Sequence, residues 1–311
     1  MVRIYKPVLA LLAGLSLVVA GCGGGSTVSP GTTGSGATST ASGATASAAG
    51  PTATPANPET LFDQGIATGP AWKSFHLKVT LDGTIKASFL KSSTNATIKK
   101  LTSDITLDGT VLEGDLDATN LAAHLALTVP AIPGVVTDPI TGDMIVKDSI
   151  LYLKVSALGT KYTKVNLASL ANEFDVPVAV PTAGGSSLTG IADKVATLRQ
   201  TLEADGIVPT LAGIEQIGGK DAYRINLSVP IDKLNSDIAA AMAKSSADPA
   251  LKFKIDSASV AIWIYKDTHQ LAQVQVAGAS STVGNITFTM TLTNFDQPVT
   301  INAPAASEIS K

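Results

Sequence analysis

The stretch ITFTMTLT, residues 286–293, decides the fold class of this 311-residue chain. Apolar side chains alternate with threonine along its whole length. Because successive side chains of a β-strand point to opposite faces, this period of two predicts a strand that is buried on one face only. The stretch FHLKVTL, residues 75–81, alternates in the same way and predicts a second strand of this kind.

Further strands follow from the same period of two. Strands this long, each apolar on one face, are typical of one large and strongly curved antiparallel sheet. The predicted strands cover residues 98–107, 110–117, 121–129, 143–155, 162–165, 222–229, 253–265, 270–277 and 285–294.

The dipeptide Asp82-Gly83 allows two interpretations of the first strand. An Asp-Gly pair is common in two-residue hairpin turns. However, Ile85, Ala87 and Phe89 continue the odd-numbered apolar pattern, as one long strand requires. We therefore expect a long strand with a bend or bulge at Gly83.

Three segments have the three- and four-residue apolar spacing of amphipathic helices. They cover residues 58–68, 187–204 and 231–244. Together with a sheet that is apolar on one face, they predict an α+β domain whose helices cover that face. A sheet curved into a half-barrel leaves space beneath short helices, and such space becomes a ligand cavity when small residues line it.

The beginning of the chain has the layout of a secretory signal peptide. Arg3 and Lys6 precede an apolar run over residues 8–20, which is shorter than the about 20 residues that span a bilayer. The small residues before Cys22, the only cysteine, resemble the lipobox of a bacterial lipoprotein. This resemblance implies cleavage before Cys22 and acylation of its thiol. The alternatives are a secreted protein with an unmodified cysteine and an uncleaved anchor.

Composition divides the chain into four parts. We expect a signal peptide over residues 1–21, a lipidated cysteine and flexible tether over 22–57, a folded domain over 58–306 and a short tail over 307–311. The tether consists almost wholly of Gly, Ser, Thr, Ala and Pro. Such a composition buries too little apolar surface to offset the entropy of ordering it.

The charged and nucleophilic residues argue against several function classes. The net charge of −3 and the lack of a basic stripe argue against nucleic acid as a partner. His76, His124 and His269 share no metal-ligand spacing, and no Gly-x-Ser-x-Gly elbow is present. We therefore predict that the protein is not an enzyme and uses no catalytic residue, metal or cofactor.

Six short stretches follow one another in a fixed order along the folded domain: residues 73–77, 107–109, 147–153, 213–224, 260–264 and 297–301. They resemble the mycobacterial-type lipid-carrying lipoproteins of the LppX, LprA, LprF and LprG group. The resemblance implies a U-shaped antiparallel half-barrel, with amphipathic helices on its concave face and an apolar cavity for acyl chains. The chain departs from the group in an insertion at residues 130–142 and in its long tether.

Two functions from different classes remain open. The first is a lipoprotein that is anchored on the outer face of the bacterial cytoplasmic membrane and that binds and carries the acyl chains of a lipid or lipoglycan. This function allows a membrane transporter as a partner. The second is a structural or adhesive surface lipoprotein with a solidly packed β-domain.

If the carrier hypothesis holds, inward strand positions and the apolar helix stripes line the cavity. For each of these residues a plain core role is the alternative. The candidates are Leu77, Val79, Leu81, Ile105, Leu107, Leu151, Leu153, Ile191, Val195, Leu198, Ile286, Phe288 and Met290.

Overall fold

Twelve strands form a single sheet in the computed structural model, which describes residues 57–68, 72–91, 101–134, 136–167, 204, 206–244 and 254–310. The strands are β1 (Ser74–Ile85), β2 (Ile105–Thr106), β3 (Thr110–Asp117), β4 (Ala122–Val129), β5 (Ile140–Lys147), β6 (Ile150–Val155), β7 (Thr163–Asn166), β8 (Pro209–Ile217), β9 (Lys220–Leu227), β10 (Ser257–Tyr265), β11 (Leu271–Ser280) and β12 (Gly284–Thr293).

The sheet is open and every paired neighbour is antiparallel. Its order is β7-β6-β5-β4-β3-β1-β12-β11-β10-β9-β8, with β2 added to the end of β1. The first and last long strands of the chain, β1 and β12, pair at the centre. The predicted α+β class with a curved antiparallel half-barrel is confirmed.

Two of the predicted helices are present with the expected bounds. Helix α1 covers Pro58–Thr68 and helix α3 covers Ile231–Lys244, while a four-residue helix α2 covers Ala87–Leu90. A short 3-10 helix follows at Ala306–Glu308. Residues 187–203 of the third predicted helix lie outside the described residues.

Strand β1 passes through Gly83 without a hairpin turn, so the expected long strand is confirmed, and its pairing with β12 continues through Gly83 in unbroken register. Gly83 has a φ of +123°, and a Cβ there would collide with the carbonyl oxygen of Asn285 on β12. Only glycine adopts this backbone so close to a neighbouring strand. The strand ends at Ile85, however, and the expected continuation to Phe89 is wrong because α2 begins at Ala87.

The predicted strand over residues 143–155 is wrong, because two strands and a tight turn occupy it. Asp148 and Ser149 have φ values of 52° and 61°, so a two-residue turn joins β5 to β6. Both φ values are positive, as in a type I′ turn. The turn lacks glycine, and therefore the usual signal for a hairpin is missing from the sequence.

Two other strand predictions differ from the structure. Within residues 101–107, the described part of the predicted strand 98–107, only Ile105 and Thr106 are in a strand. Asp104 instead accepts a hydrogen bond from the backbone N–H of Ala87 at 2.8 Å. Strand β8 was not predicted, because a bulge between Leu211 and Gly213 interrupts its alternation.

Candidate functional site

The register of the sheet places apolar side chains on one continuous face. Val79 lies between Leu112 of β3 and Met290 of β12, and Leu77 lies opposite Leu292. Following the pairs outward in both directions extends this surface from β7 to β8. We call it the apolar face; it includes Leu151, Leu153, Met144, Leu125, Leu112, Leu77, Val79, Leu81, Phe288, Met290, Val274, Val276, Ile262, Ile225 and Leu211.

Most of the predicted cavity residues lie together on this face. Register assigns eight of them to it: Leu77, Val79, Leu81, Leu151, Leu153, Ile286, Phe288 and Met290.

Ile105 pairs with Ile85, which is on the same face as Leu81, so register places Ile105 there as well, at the end of β1. The N–H of Leu107 donates to the carbonyl of Gly83 at 2.8 Å. The helix positions Ile191, Val195 and Leu198 lie outside the described residues, as does the lipidation candidate Cys22.

Helix α1 covers the part of the apolar face on β9, β10 and β11. Leu61 and Phe62 are buried there against Ile225, Ile262 and Ile264. Gly65 allows this close approach, because a Cβ at that position would overlap the side chain of Ile264. Helix α1 therefore stabilises the apolar face on its β9–β11 side, near Ile264 at the end of β10.

A cleft of about 450 Å³ opens on the same face along β6 and β7. Its apolar lining residues are Leu151, Leu153, Val155, Leu158 and Val165, and the rest of the lining is Gly159, Thr160, Lys161, Thr163 and Ser310. Three of the five apolar side chains were not among the sequence candidates. The sequence offered a signal for Val165, which lies within a predicted strand, but none for Leu158, which lies in the connection after β6.

The apolar face is buried at one end of the strands and more exposed at the other. Phe75, Leu77 and Val79 are buried, whereas Leu81 and Ile85 farther along β1 are half-buried. Strand β12 shows the same gradient in reverse order, because it runs antiparallel. We call the buried end, at Trp72, Phe75, Leu116 and Leu292, the closed end, and the other, at Leu81, Thr110, Ile286 and Val276, the open end.

Two buried polar atoms near the apolar face have no hydrogen-bond partner within the part of the chain that the structure describes. One is the indole Nε1 of Trp72 at the closed end, and the other is the hydroxyl Oγ1 of Thr110 at the open end. Thr110 is opposite Leu81 and shares the apolar face with it. An unpartnered buried polar group costs about 1–3 kcal/mol, so both atoms are positioned to gain from a ligand.

The opposite face carries charged pairs instead. His76 lies 2.8 Å from Asp115 and 3.3 Å from Glu113, and Lys78 lies 3.0 Å from Glu113. The hydrogen bond from the Lys78 ammonium holds the pKa of Glu113 below its usual value. These side chains are on the surface that the sequence assigned to solvent, and their partial exposure agrees with a structural role.

A second charged group lies farther along the opposite face. Asp143 accepts hydrogen bonds from Tyr162 at 2.5 Å and from His124 at 2.8 Å, and Lys154 lies 3.4 Å away. Burial raises the pKa of Asp143, but these hydrogen bonds outweigh burial and the pKa is below its usual value. The group fastens β4, β5 and β6 to Tyr162, at the start of β7.

The final segment of the chain covers this part of the opposite face. Val299 and Ile301 pack with Ala122 and Ile145. The backbone of Tyr162 bonds to Glu308 and Ser310, each at 2.8 Å, so the residues set apart as a tail are paired through Ser310.

Two features are absent from the described ranges. Nowhere in those ranges do three or more His, Cys, Asp or Glu side chains group in a way that would hold a metal ion. Among the helices that the structure describes, none has the length and apolar character needed to cross a bilayer.

The chain matches no protein-family model and no curated protein. Among solved structures it is similar to the lipoprotein LppX of Mycobacterium tuberculosis, at 15% identity and a TM-score of 0.42, over 78% of this chain and 97% of that one. It is also similar to LprF of Mycobacterium bovis, at 16% identity and a TM-score of 0.40, over 80% of this chain and 99% of that one. Both names are among those of the group that the sequence resembles.

Proposed function

We propose that this protein is a membrane-anchored lipoprotein that binds the acyl chains of a lipid or lipoglycan on the apolar face and carries or presents it in the cell envelope. The observation that carries this proposal is the continuity of the apolar face from β7 to β8. Its large side chains at the open end are only half-buried, and a cleft of about 450 Å³ lies within it. These half-buried apolar side chains favour an apolar ligand.

The mechanism needs no covalent step. An acyl chain leaves a bilayer, lies against the apolar side chains and is later released to a bilayer or a partner. Apolar burial drives binding by roughly 25 cal/mol for each Å² removed from water. The charged pairs on the opposite face, such as His76 with Asp115, are already satisfied by one another and are not needed for this step.

The anchor and tether complete the proposal. Lipid on Cys22 holds the protein at the outer face of the cytoplasmic membrane, since two or three acyl chains anchor a protein stably where one does not. As a flexible coil, residues 22–57 span roughly 30–35 Å. The domain therefore reaches lipid at its own membrane, with a membrane transporter or an acceptor as the partner that supplies or takes the cargo.

A pair of substitutions on β12 tests the binding face. Met290 lies on the apolar face and Thr287 on the opposite one. Met290→Trp should reduce binding of a fluorescent acyl probe by tenfold or more, about 1.4 kcal/mol, because the larger ring fills the space of the ligand. The matched control Thr287→Trp should leave the affinity unchanged.

Stability measured on both variants separates blocked binding from lost folding. Equal affinities for two folded variants would contradict a site on this face. If the unsubstituted protein takes up no acyl probe, the packed surface module becomes the better description.

A further inference from the structure

The cleft along β6 and β7 differs from the rest of the apolar face in its charge. Lys161 is the one charged side chain among the described residues that line it. Building on the proposed function, we propose that this cleft is a separate subsite for a single-chain anionic amphiphile, an alkyl chain that ends in a carboxylate or phosphate. In this subsite, Lys161 pairs with the anion.

The lining of the cleft offers the alkyl chain an apolar surface that water reaches. Leu151 pairs with Val165 and Leu153 pairs with Thr163, and cross-strand partners point to the same face. Leu158, in the connection between β6 and β7, is 59% exposed. An alkyl chain that covers these side chains removes apolar surface from water and is stabilised by that burial.

The size of the cleft favours a ligand with one chain. Sites for small molecules in proteins have volumes of roughly 300–1,000 Å³. At about 450 Å³, the cleft is in the lower part of this range. A lipid with several acyl chains needs more of the apolar face than the cleft provides.

The ammonium of Lys161 is available to an anion. It makes no ion pair with a carboxylate in the part of the chain that the structure describes. Lys154 has a different environment, because its ammonium lies on the opposite face, 3.4 Å from Asp143 and 4.5 Å from the centre of the Tyr162 ring. Lysine ammonium groups are strongly hydrated point charges that pair with carboxylate and phosphate alike.

Other polar groups of the lining support an anion and do not repel it. Thr160, Thr163 and Ser310 line the cleft, and their hydroxyl groups are able to donate hydrogen bonds. None of the described residues in the lining is an aspartate or a glutamate. The charge of the lining therefore favours an anionic amphiphile over a neutral one, and a neutral one over a cation.

The subsite is distinct from the unpartnered hydroxyl of Thr110 on the central strands. Thr110 begins β3, and β4 and β5 separate this strand from β6. With about 4.8 Å between neighbouring strands, β3 and β6 are roughly 14 Å apart along the sheet. A single polar group does not contact both Thr110 and Lys161.

The experiment measures binding separately at the cleft and on the central strands. The protein, with its methyl groups labelled for NMR, is titrated with dodecanoate, dodecanol and dodecyltrimethylammonium at a pH where the carboxyl is ionised. The methyl signals of Val165 report on the cleft, and that of Met290 reports on the central strands. At Val165, dodecanoate should bind about fivefold more tightly than dodecanol, and the cation should bind most weakly.

Reversing one charge tests the role of Lys161. Lys161→Glu should reverse the order of affinities at Val165, so that the cation binds more tightly than dodecanoate. The matched control is Lys164→Glu, because Lys164 is also exposed and lies on β7 opposite Tyr152, away from the cleft. This control should keep the original order. Lys161→Met, which should remove the preference for the anion, replaces Lys161→Glu if that variant does not fold.

The two reporters separate failure of the subsite from failure of the proposed function. Equal affinities of the three probes at Val165, or a preference for the anion that persists in Lys161→Glu, would overturn the subsite. Shifts of the Met290 signal alone would also overturn it while leaving the proposed function intact. If no probe shifts either signal, both proposals are wrong.

Discussion

The two faces of the sheet are buried by different means. On the apolar face, leucine, valine, isoleucine and methionine side chains pack at the closed end and stay half-buried at the open end. On the opposite face, charged pairs such as His124 with Asp143 satisfy one another, and Val299 and Ile301 of the final segment cover a small apolar cluster. The comparison shows that strands of the same sheet form one surface whose charged side chains pair with one another and one surface whose apolar side chains stay half-buried at one end. The half-buried apolar surface is where we propose that a ligand binds.

The largest expected effect lies at the closed end of the apolar face. Leu116→Ala should lower the free energy of unfolding by about 2–5 kcal/mol, because the side chain is fully buried and leaves a cavity. Leu81→Ala, on the same face at the open end, should cost less than half as much. Urea denaturation of both variants measures the difference. Equal losses at the two positions would show that both ends are packed alike.

A smaller effect is expected on the opposite face. Tyr162→Phe removes the 2.5 Å hydrogen bond to Asp143 and should cost about 1.5–3 kcal/mol at neutral pH. Acyl-probe affinity should not change, because Tyr162 and Asp143 face away from the apolar side. A change in affinity after this substitution would contradict the separation of the two faces.

The same residue pair gives a pH dependence with a defined sign. Folding lowers the pKa of Asp143, so the folded protein binds protons less readily than the unfolded chain. This contribution to stability is therefore complete above the usual value of 3.8 and is lost as pH falls through the lower folded pKa. Acid unfolding of Tyr162→Phe should show less of this loss than the unsubstituted protein. Identical acid profiles would exclude Tyr162 as its cause.

The smallest expected effect concerns the polar atom at the open end. Thr110→Val keeps the shape and removes an unpartnered hydroxyl, so the free protein should be as stable as before or slightly more stable. Affinity for a fatty acid should fall about fivefold, the equivalent of one net hydrogen bond of about 1 kcal/mol. The matched control is Thr84→Val on β1, near the same end but on the opposite face, which should leave affinity unchanged. Equal effects of Thr110→Val and Thr84→Val would show that Thr110 has no special role.

Much of the fold was predictable, because a strand that is buried on one face alternates between apolar and polar residues in the sequence. The alternation in residues 286–293 and 75–81 gave β12 and β1, and the bounds of α1 and α3 followed from helical spacing. Signals failed where a turn lacks glycine, as at Asp148 and Ser149, and where a bulge shifts the phase, as in β8. Neither the turn nor the bulge can be recognised from the residue composition of its segment.

The candidate site was predictable in part for the same reason. Alternation identifies which residues share a face with Leu77 and Met290, but it does not show how deeply each residue along the strand is buried. The difference between buried Leu77 and half-buried Leu81 depends on neighbours from distant parts of the chain. The unpartnered hydroxyl of Thr110 also has no counterpart in sequence, because a missing partner is a property of the assembled fold.

The most direct test of lipid binding is native mass spectrometry of the chain from Gly23 onward. The protein is exported behind a cleavable signal peptide that leaves no acylated cysteine, purified without detergent and then extracted with organic solvent. We expect a lipid in stoichiometric amount, released by the solvent and identifiable by its mass. A protein that is empty and also takes up no fluorescent acyl probe would contradict the central claim.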